Sequence, residues 1–445
     1  METGETSPRG LLQVKGDAVP LSYAEFIAAK RHIMEDDPIG EVSIDPHLFD
    51  FQGAVVKWGI KKGRACIFAG TGLGKTIMQC EWAKHIPGKT LIVAPLAVAA
   101  QTSEEASDKL GMDVRVIKEP GQVAGSGVYI TNYERALAMD FKWDGVVLDE
   151  SSILKSHDGA YRKGLTDLFA RTRYKLCCTA TPAPNDLMEL ANHAEFIGAM
   201  TRLECLATFF THDGGDTSKW RLKRHAVKDF WEWVSSWAVA FDSPYDLGFD
   251  GSRFVLPELK TFEHRCHVDT GGVGGLFGDQ DPGATKLYTV LRNSQDDRVR
   301  IAADLVNGEP DQQWCVWCHT NDEQDALENA IPGSVGVRGD DPSDVKEKRL
   351  LGFAKGDFRV MVTKPKIAGF GMNWQQCRRT VFASVTYSYE QQYQAVRRFW
   401  RFGQTKPVHV HTITANTEES VMSAVNFKAA VHSSIARSME GNFAV

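Results

Sequence analysis

The sequence predicts an α/β protein built as two doubly wound lobes, each a parallel sheet with helices on both faces. Three observations carry this. A chain of 445 residues exceeds what one core usually organises, roughly 250–300 residues. Short, nearly continuous apolar runs alternate with helix-length stretches between Leu48 and Thr181, and the alternation resumes from about Trp314. Parallel strands covered on both faces read in this way. Between the two blocks lies a stretch of different texture, rich in Trp and Phe.

In chain order, residues 1–46 read as a polar leader followed by one helix, LSYAEFIAAKRHIM. The first lobe is expected over 47–262, with ACIFAG, TLIVAPL, GVYITN, GVVLDE and KLCCTA as its buried strands. Its segment 201–260 holds the basic stretch KWRLKRHAVK and then DFWEWVSSWAVAF. Phe230, Trp233, Val234 and Trp237 recur at helical spacing and are expected to pack. Lys219, Arg221, Lys223 and Arg224, basic residues mixed with aromatics, are candidate contacts to nucleic-acid phosphates. The glycine cluster Gly271, Gly272, Gly274 and Gly275 punctuates the chain just past the junction, placed near residue 262. The second lobe is expected over 263–445, with QWCVWCH, SVGVRG, FRVMVT, RTVFASV and VHVHTI as strands.

Composition narrows the class. A hydrophobic share of 43% with 24% charged residues is ordinary for a globular chain. A net charge of −6 argues against a polybasic binder, yet a basic groove on an acidic whole remains compatible with nucleic acid. No apolar run reaches membrane length, and METGETSPRG lacks the apolar core of a secretory signal. Nine cysteines without regular spacing fit a reducing compartment, so the expected location is the cytoplasm, or a host cytoplasm for a phage product. Cys315-Val-Trp-Cys318-His319 matches a haem-attachment pattern, but it reads as a buried strand without an export signal, and no second cysteine pair stands at zinc-ligand spacing. Neither haem nor zinc is expected.

The strongest local signal runs Gly70, Thr71, Gly72, Leu73, Gly74, Lys75, Thr76. It follows the strand ACIFAG and precedes the helix-like IMQCEWAKHI, the context of a phosphate-binding loop. Ala69 stands where the motif's first glycine usually stands. Glycines let backbone amides close around phosphate oxygens, and the helix N-terminus adds favourable partial charge. Lys75 can reach the β- and γ-phosphates of a nucleotide, and the Thr76 hydroxyl can ligate Mg²⁺. GVVLDE supplies the matching acidic strand end: Asp149 to hold Mg²⁺ through water, Glu150 to polarise the attacking water.

Taken together, the motifs resemble those of superfamily 2 helicases and translocases, in their Swi/Snf-like branch. LFDFQ, with Gln52, is similar to the glutamine motif that reads adenine. AGTGLGKT resembles motif I, LIVAPLAVAAQ motif Ia, ITNYE motif Ib, LDESS motif II and TATPAPN motif III. LPELK, from Leu256, resembles the Leu-Pro-x-x-Lys close of the first lobe in that branch. VRGDDPSDVKEKRLLGFAKGDFRVMVTKPKIAGFGMNW is similar to motifs IV to V, and QAVRRFWRFGQTKPVHV to motif VI. The match runs from about residue 48 to 413. Motif II departs in reading Asp-Glu-Ser-Ser, and motif III in having Ala180 and Ala183. The absence of large insertions within this stretch resembles compact phage-type or bacterial relatives.

The resemblance implies two RecA-like lobes with an ATP–Mg²⁺ cleft between them. Gln52, Gly72, Gly74, Lys75, Thr76 and Asp149 would hold the nucleotide and its metal. Lys75, Glu150, Gln394, Arg398 and Arg401 would carry catalysis. Arg398 and Arg401 are three apart and would share a helix face with Gln394, reaching the γ-phosphate from the second lobe. Arg397 would point elsewhere. The implied activity is an ATP-dependent motor on DNA, duplex or single strand. An RNA helicase and a nucleotide-gated clamp that hardly hydrolyses are the alternatives.

Overall fold

The computed structural model describes residues 33–95, 98–155, 159–213, 216–266, 291–368, 373–415 and 418–439. The leader helix expected over 21–34 lies outside them except for its last two residues, as does the glycine cluster at 271–275.

The first lobe is a seven-stranded sheet in the order β3-β4-β2-β5-β6-β1-β9, parallel throughout. Its strands are β1 (Arg64–Ala69), β2 (Lys89–Ala94), β3 (Val114–Val116), β4 (Gly127–Asn132), β5 (Gly145–Asp149), β6 (Tyr174–Thr179) and β9 (Ala238–Phe241). The apolar runs follow from burial on both faces. Cys66, Phe68, Leu91, Val93, Val146 and Leu148 enter one core, while Ala65, Ile67, Ile92, Ala94 and Val147 enter the core on the opposite face. That division is the period of two along each strand. A separate antiparallel hairpin, β7 (Phe210–Asp213) with β8 (Asp216–Leu222), projects from this lobe.

The second lobe is a six-stranded parallel sheet in the order β10-β15-β14-β11-β13-β12. Its strands are β10 (Leu259–Cys266), β11 (Trp314–Trp317), β12 (Ser334–Val337), β13 (Val360–Thr363), β14 (Arg379–Phe382) and β15 (Val408–Ala415). Cys315, Trp317 and Met361 face one core, and Trp314, Val316, Val360 and Val362 the other. Burial pushes the Cys315 and Cys318 thiols upward.

Three expectations need correction. The junction placed near residue 262 falls inside β10, which pairs with β15 along its whole length. The chain therefore changes sheets before Leu259. Second, the last helix, Glu419–Met439, does not stay with the second lobe: Val421 packs in the second-lobe core, whereas Ile435 and Met439 are buried in the first. Third, the aromatic helix spans only Val227–Ser235. Trp237 lies beyond it, fully buried, and the following AVAF is the edge strand β9.

Candidate active site at the lobe interface

In an open parallel sheet the loops at the carboxyl ends of the strands form the binding crevice. Here β6 lies between β1 and β5. The glycine loop leaving β1, the acidic end of β5 and Thr179 at the end of β6 thus share one edge of the sheet. The second lobe faces this edge, and a cavity of about 800 Å³ lies between them. Its lining brings together Gln52, Gly72, Gly74, Lys75, Thr76, Asp149, Glu150, Gln394, Arg398 and Arg401. Lys75 and Arg401, 326 positions apart in sequence, meet only through the closing of the two lobes on each other.

Gly72 and Gly74 have φ of +91° and +83°, values that favour glycine. A Cβ on Gly72 would stand 2.9 Å from the Phe402 backbone nitrogen, so the second lobe rests directly on the loop. The Lys75 ammonium donates to the carbonyls of Ala69 (2.8 Å) and Gly70 (3.3 Å). Burial lowers its pKa, against the pull of Glu150 and Asp149. Gln52 is almost wholly buried. Its amide nitrogen donates to Leu73 O (2.9 Å), and its oxygen accepts from the Phe49 N–H (3.0 Å), which locks the side chain beside the loop.

Asp149 is buried, and its pKa is pushed up to about 7, first by desolvation and then by Glu150, with Lys75 opposing. The Tyr133 hydroxyl donates to its backbone carbonyl at 2.6 Å, fixing the strand end. Glu150 takes φ of +57°, the only non-glycine residue in that region among the described residues; such a conformation costs on the order of 1–3 kcal/mol and collects at functional sites. Burial raises its pKa, while Lys75 and Arg398 pull it down. The Thr179 hydroxyl donates to Glu150 Oε2 at 3.3 Å.

From the other lobe come Gln394 and Arg398, both buried, and Arg401. They do not share a helix face as expected. The helix Tyr389–Val396 ends before the arginines: past it the Arg398 N–H bonds only three residues back, to Ala395 O (3.2 Å), the Arg398 carbonyl accepts from the Trp374 N–H (3.1 Å), and the chain turns to Gly403 at φ +93°. The turn nevertheless leaves both arginines on the cavity. Burial lowers Arg398 to about 9, helped by Arg401 and opposed by Glu150, so it is still protonated at neutral pH. Arg397 does point elsewhere, against the rings of Tyr393 and Trp400.

Several polar groups in the cleft are buried without a hydrogen-bond partner: Thr71 Oγ1, Gln394 Nε2 and Arg401 Nε. Buried donors of this kind are costly unless a ligand satisfies them. Their position around a glycine-lined loop fits a polyphosphate, and the adjacent hydroxyl of Thr76 and carboxylate of Asp149 are oxygen ligands suited to a hard divalent cation.

Sequence reasoning missed the aromatic wall at the Gln52 end. Phe254 stacks on Phe402 of the second lobe at 4.7 Å, with Phe49 at its edge at 5.0 Å. Only the proximity of Phe49 to Gln52 hinted at it. The basic quartet does not act as one group. Lys223 donates to the carbonyls of Ala207 (2.7 Å) and Thr208 (2.9 Å), capping the helix Arg202–Phe209. Arg221 and Arg224 are exposed beside an open groove. The side chain of Lys219 lies outside the described residues.

Residues 51–209 match the family model of the SNF2-related domain. The chain carries an SNF2-related domain. The motif order and the family model agree on the Swi/Snf-like branch of superfamily 2. The chain is 22% identical over 367 residues to the Zorya protein ZorD of Escherichia coli O139:H28, covering 69% of this chain and 32% of ZorD. It is 21% identical over 471 residues to protein p41 of Acyrthosiphon pisum secondary endosymbiont phage 1, covering 88% of this chain and 98% of p41. A 151-residue stretch is 31% identical to "Probable ATP-dependent DNA helicase CHR12" of Arabidopsis thaliana, covering 28% of this chain and 13% of that one. The chain thus spans about a third of ZorD's length and nearly all of p41's. A solved structure, the Sulfolobus solfataricus SWI2/SNF2 ATPase core in complex with dsDNA, covers 90% of the chain at 16% identity and a TM-score of 0.42. No helix among the described residues is long and apolar enough to cross a membrane.

Proposed function

We propose that this chain hydrolyses ATP between its lobes and couples the reaction to movement on DNA. The observation that carries the proposal is the single cavity in which Lys75, Asp149 and Glu150 of the SNF2-related lobe face Gln394, Arg398 and Arg401 of the other. In this reading Lys75 leaves the Ala69 and Gly70 carbonyls for the β- and γ-phosphates, and Gln52 with the Phe49, Phe254 and Phe402 wall takes the base. Thr76 and Asp149 would hold Mg²⁺, which neutralises phosphate charge when bound. Glu150 orients and polarises the attacking water. Arg398 and Arg401 stabilise charge developing on the transferred phosphoryl group.

Half of the catalytic set stands on each lobe, so any ligand that bridges the lobes favours the complete site. DNA is the ligand proposed, supported by the helicase named among the relatives. Arg221 and Arg224 on the projecting hairpin and its flank are proposed phosphate contacts. The test is ATP turnover with duplex DNA, single-stranded DNA and RNA of equal length, each at low and moderate salt. Turnover should be weak alone, rise with DNA, and lose that stimulation as salt increases, because phosphate contacts release counterions. Stimulation by RNA alone would remove the DNA assignment, and full turnover without nucleic acid would remove the motor.

A further inference from the structure

Beside the arginine turn the lobes meet at a buried carboxylate. Glu390, at the start of the second-lobe helix Tyr389–Val396, is 3% exposed. Its two oxygens go to two places on the first lobe. One pairs with the Lys155 ammonium, at the end of the short turn Ser151–Lys155 that follows Glu150. The other accepts from the Thr181 hydroxyl at 3.4 Å. From there the bonding continues inward: the Thr181 N–H donates to Thr179 Oγ1 (3.1 Å), and Thr179 donates to Glu150 (3.3 Å). On its own lobe Glu390 lies one helical turn before Gln394, and the same helix leads into the turn that holds Arg398.

A buried carboxylate stripped of its partner is strongly destabilising. Glu390 can meet Lys155 and Thr181 together only when the second lobe sits at one height and one rotation against the first. Lys155 is partly exposed, so it can be solvated when the lobes part, whereas Glu390 gains its partners only on closure. The seam continues alongside, where Lys428 donates to Tyr387 O (2.8 Å) of the second lobe and Asn185 Oδ1 (3.1 Å) of the first.

We propose that Glu390 is a positioning residue: its contacts with Lys155 and Thr181 set the register of the arginine turn against Glu150, so that closing the lobes and completing the catalytic site are one event. This rests on the hydrolysis reading above. Glu390 touches neither nucleotide nor water in it and acts through Arg398 and Gln394.

The experiment uses the full chain with saturating duplex DNA and compares kcat and KM for ATP. Glu390→Ala should lower kcat by about 10–10²-fold, the cost of a small misplacement of catalytic groups, and leave KM within about twofold. Adding Lys155→Ala to it should lose no further rate, since the two residues serve one contact. Glu390→Lys should be as slow as Glu390→Ala, and adding Lys155→Glu should recover at least about tenfold. Binding of a fluorescent ATP analogue, retained throughout, reports a folded first lobe. All nine cysteines are buried, so exposed cysteines introduced on each lobe accept a donor–acceptor dye pair selectively, and Glu390→Ala should lower energy transfer between the lobes. Unchanged kcat, strictly multiplicative losses, or a raised KM as the sole defect would overturn the proposal. A wild-type chain without turnover, but with transfer lowered by Glu390→Ala, would instead discard hydrolysis and keep the register; transfer unchanged in that case would discard both.

Discussion

Two adjacent carboxylates stand at the end of a strand whose other side chains are apolar; Asp149 is buried and Glu150, just past the strand, half-buried. Asp149 has a folded value of about 7, against roughly 3.9 in an unfolded chain. Between those values the folded state holds a proton that the unfolded state has lost. The cost of the buried anion is therefore absent below about pH 4, grows through that window, and is complete above about pH 7. In chain free of nucleotide and metal, Asp149→Asn should raise the melting temperature more at pH 8 than at pH 5.5. An equal gain at both values would mean that Asp149 does not titrate there. Mg²⁺–ATP should bind with release of a proton near pH 6.5, visible as a binding heat that varies with the ionisation enthalpy of the buffer. Glu150→Gln keeps the side chain's shape and the phosphate cradle, and should retain ATP binding while turnover falls below detection; Lys75→Ala should lose turnover together with binding. Near-normal ATPase in either variant would reject the site.

The elements that sequence pattern reveals are those buried on both faces. Strands β1, β2, β4, β5 and β6 could be read because each is an unbroken apolar run, and so could β11, β13 and β14. Strand β10 could not. It is an edge strand with the largely exposed sequence LKTFEHRC, only Cys266 of which is buried, so it lacks both the run and the alternation that mark a strand. The AVAF of β9 was hidden by its continuity with a preceding aromatic helix. In the site, Lys75, Thr76, Asp149 and Glu150 lie within local motifs and were legible for that reason. Arg398 and Arg401 were legible as residues but not as a turn, because the bond that holds the turn at the Arg398 carbonyl comes from Trp374, outside the motif. Glu390 was silent: Thr181 and Lys155 lie 209 and 235 positions away. Arg398→Ala and Arg401→Ala should each lower kcat by about 10³-fold or more with little change in ATP affinity, the signature of groups that act on transition-state charge. A raised KM alone would reduce them to ground-state binding. On the hairpin side, Arg224→Ala should weaken DNA stimulation at moderate salt, whereas Lys223→Ala, whose ammonium caps a helix, should lower stability instead.

At the scale of the whole molecule, the helix Glu419–Met439 begins in one core and ends in the other. Ile435 is 2% exposed in the first-lobe core, although it lies nearly two hundred residues beyond that lobe's last strand. Ile435→Ala should destabilise the first lobe by roughly 2–5 kcal/mol, as for other large-to-small core changes, measured by denaturant unfolding. A change within about 0.5 kcal/mol, the range of ordinary surface substitutions, would mean that the helix end is not seated in solution. The chain also crosses between lobes a first time, from Phe254, packed against the first-lobe core, to Leu259 at the start of β10. A body tethered at one place can swivel in any direction. One tethered at two has an axis, as a door has with two pins. If both crossings hold, the second lobe swings about the line that joins them, and the travel of any point on it is its distance from that line multiplied by the angle. Side chains beside the pins barely move, while the far rim sweeps the greatest arc.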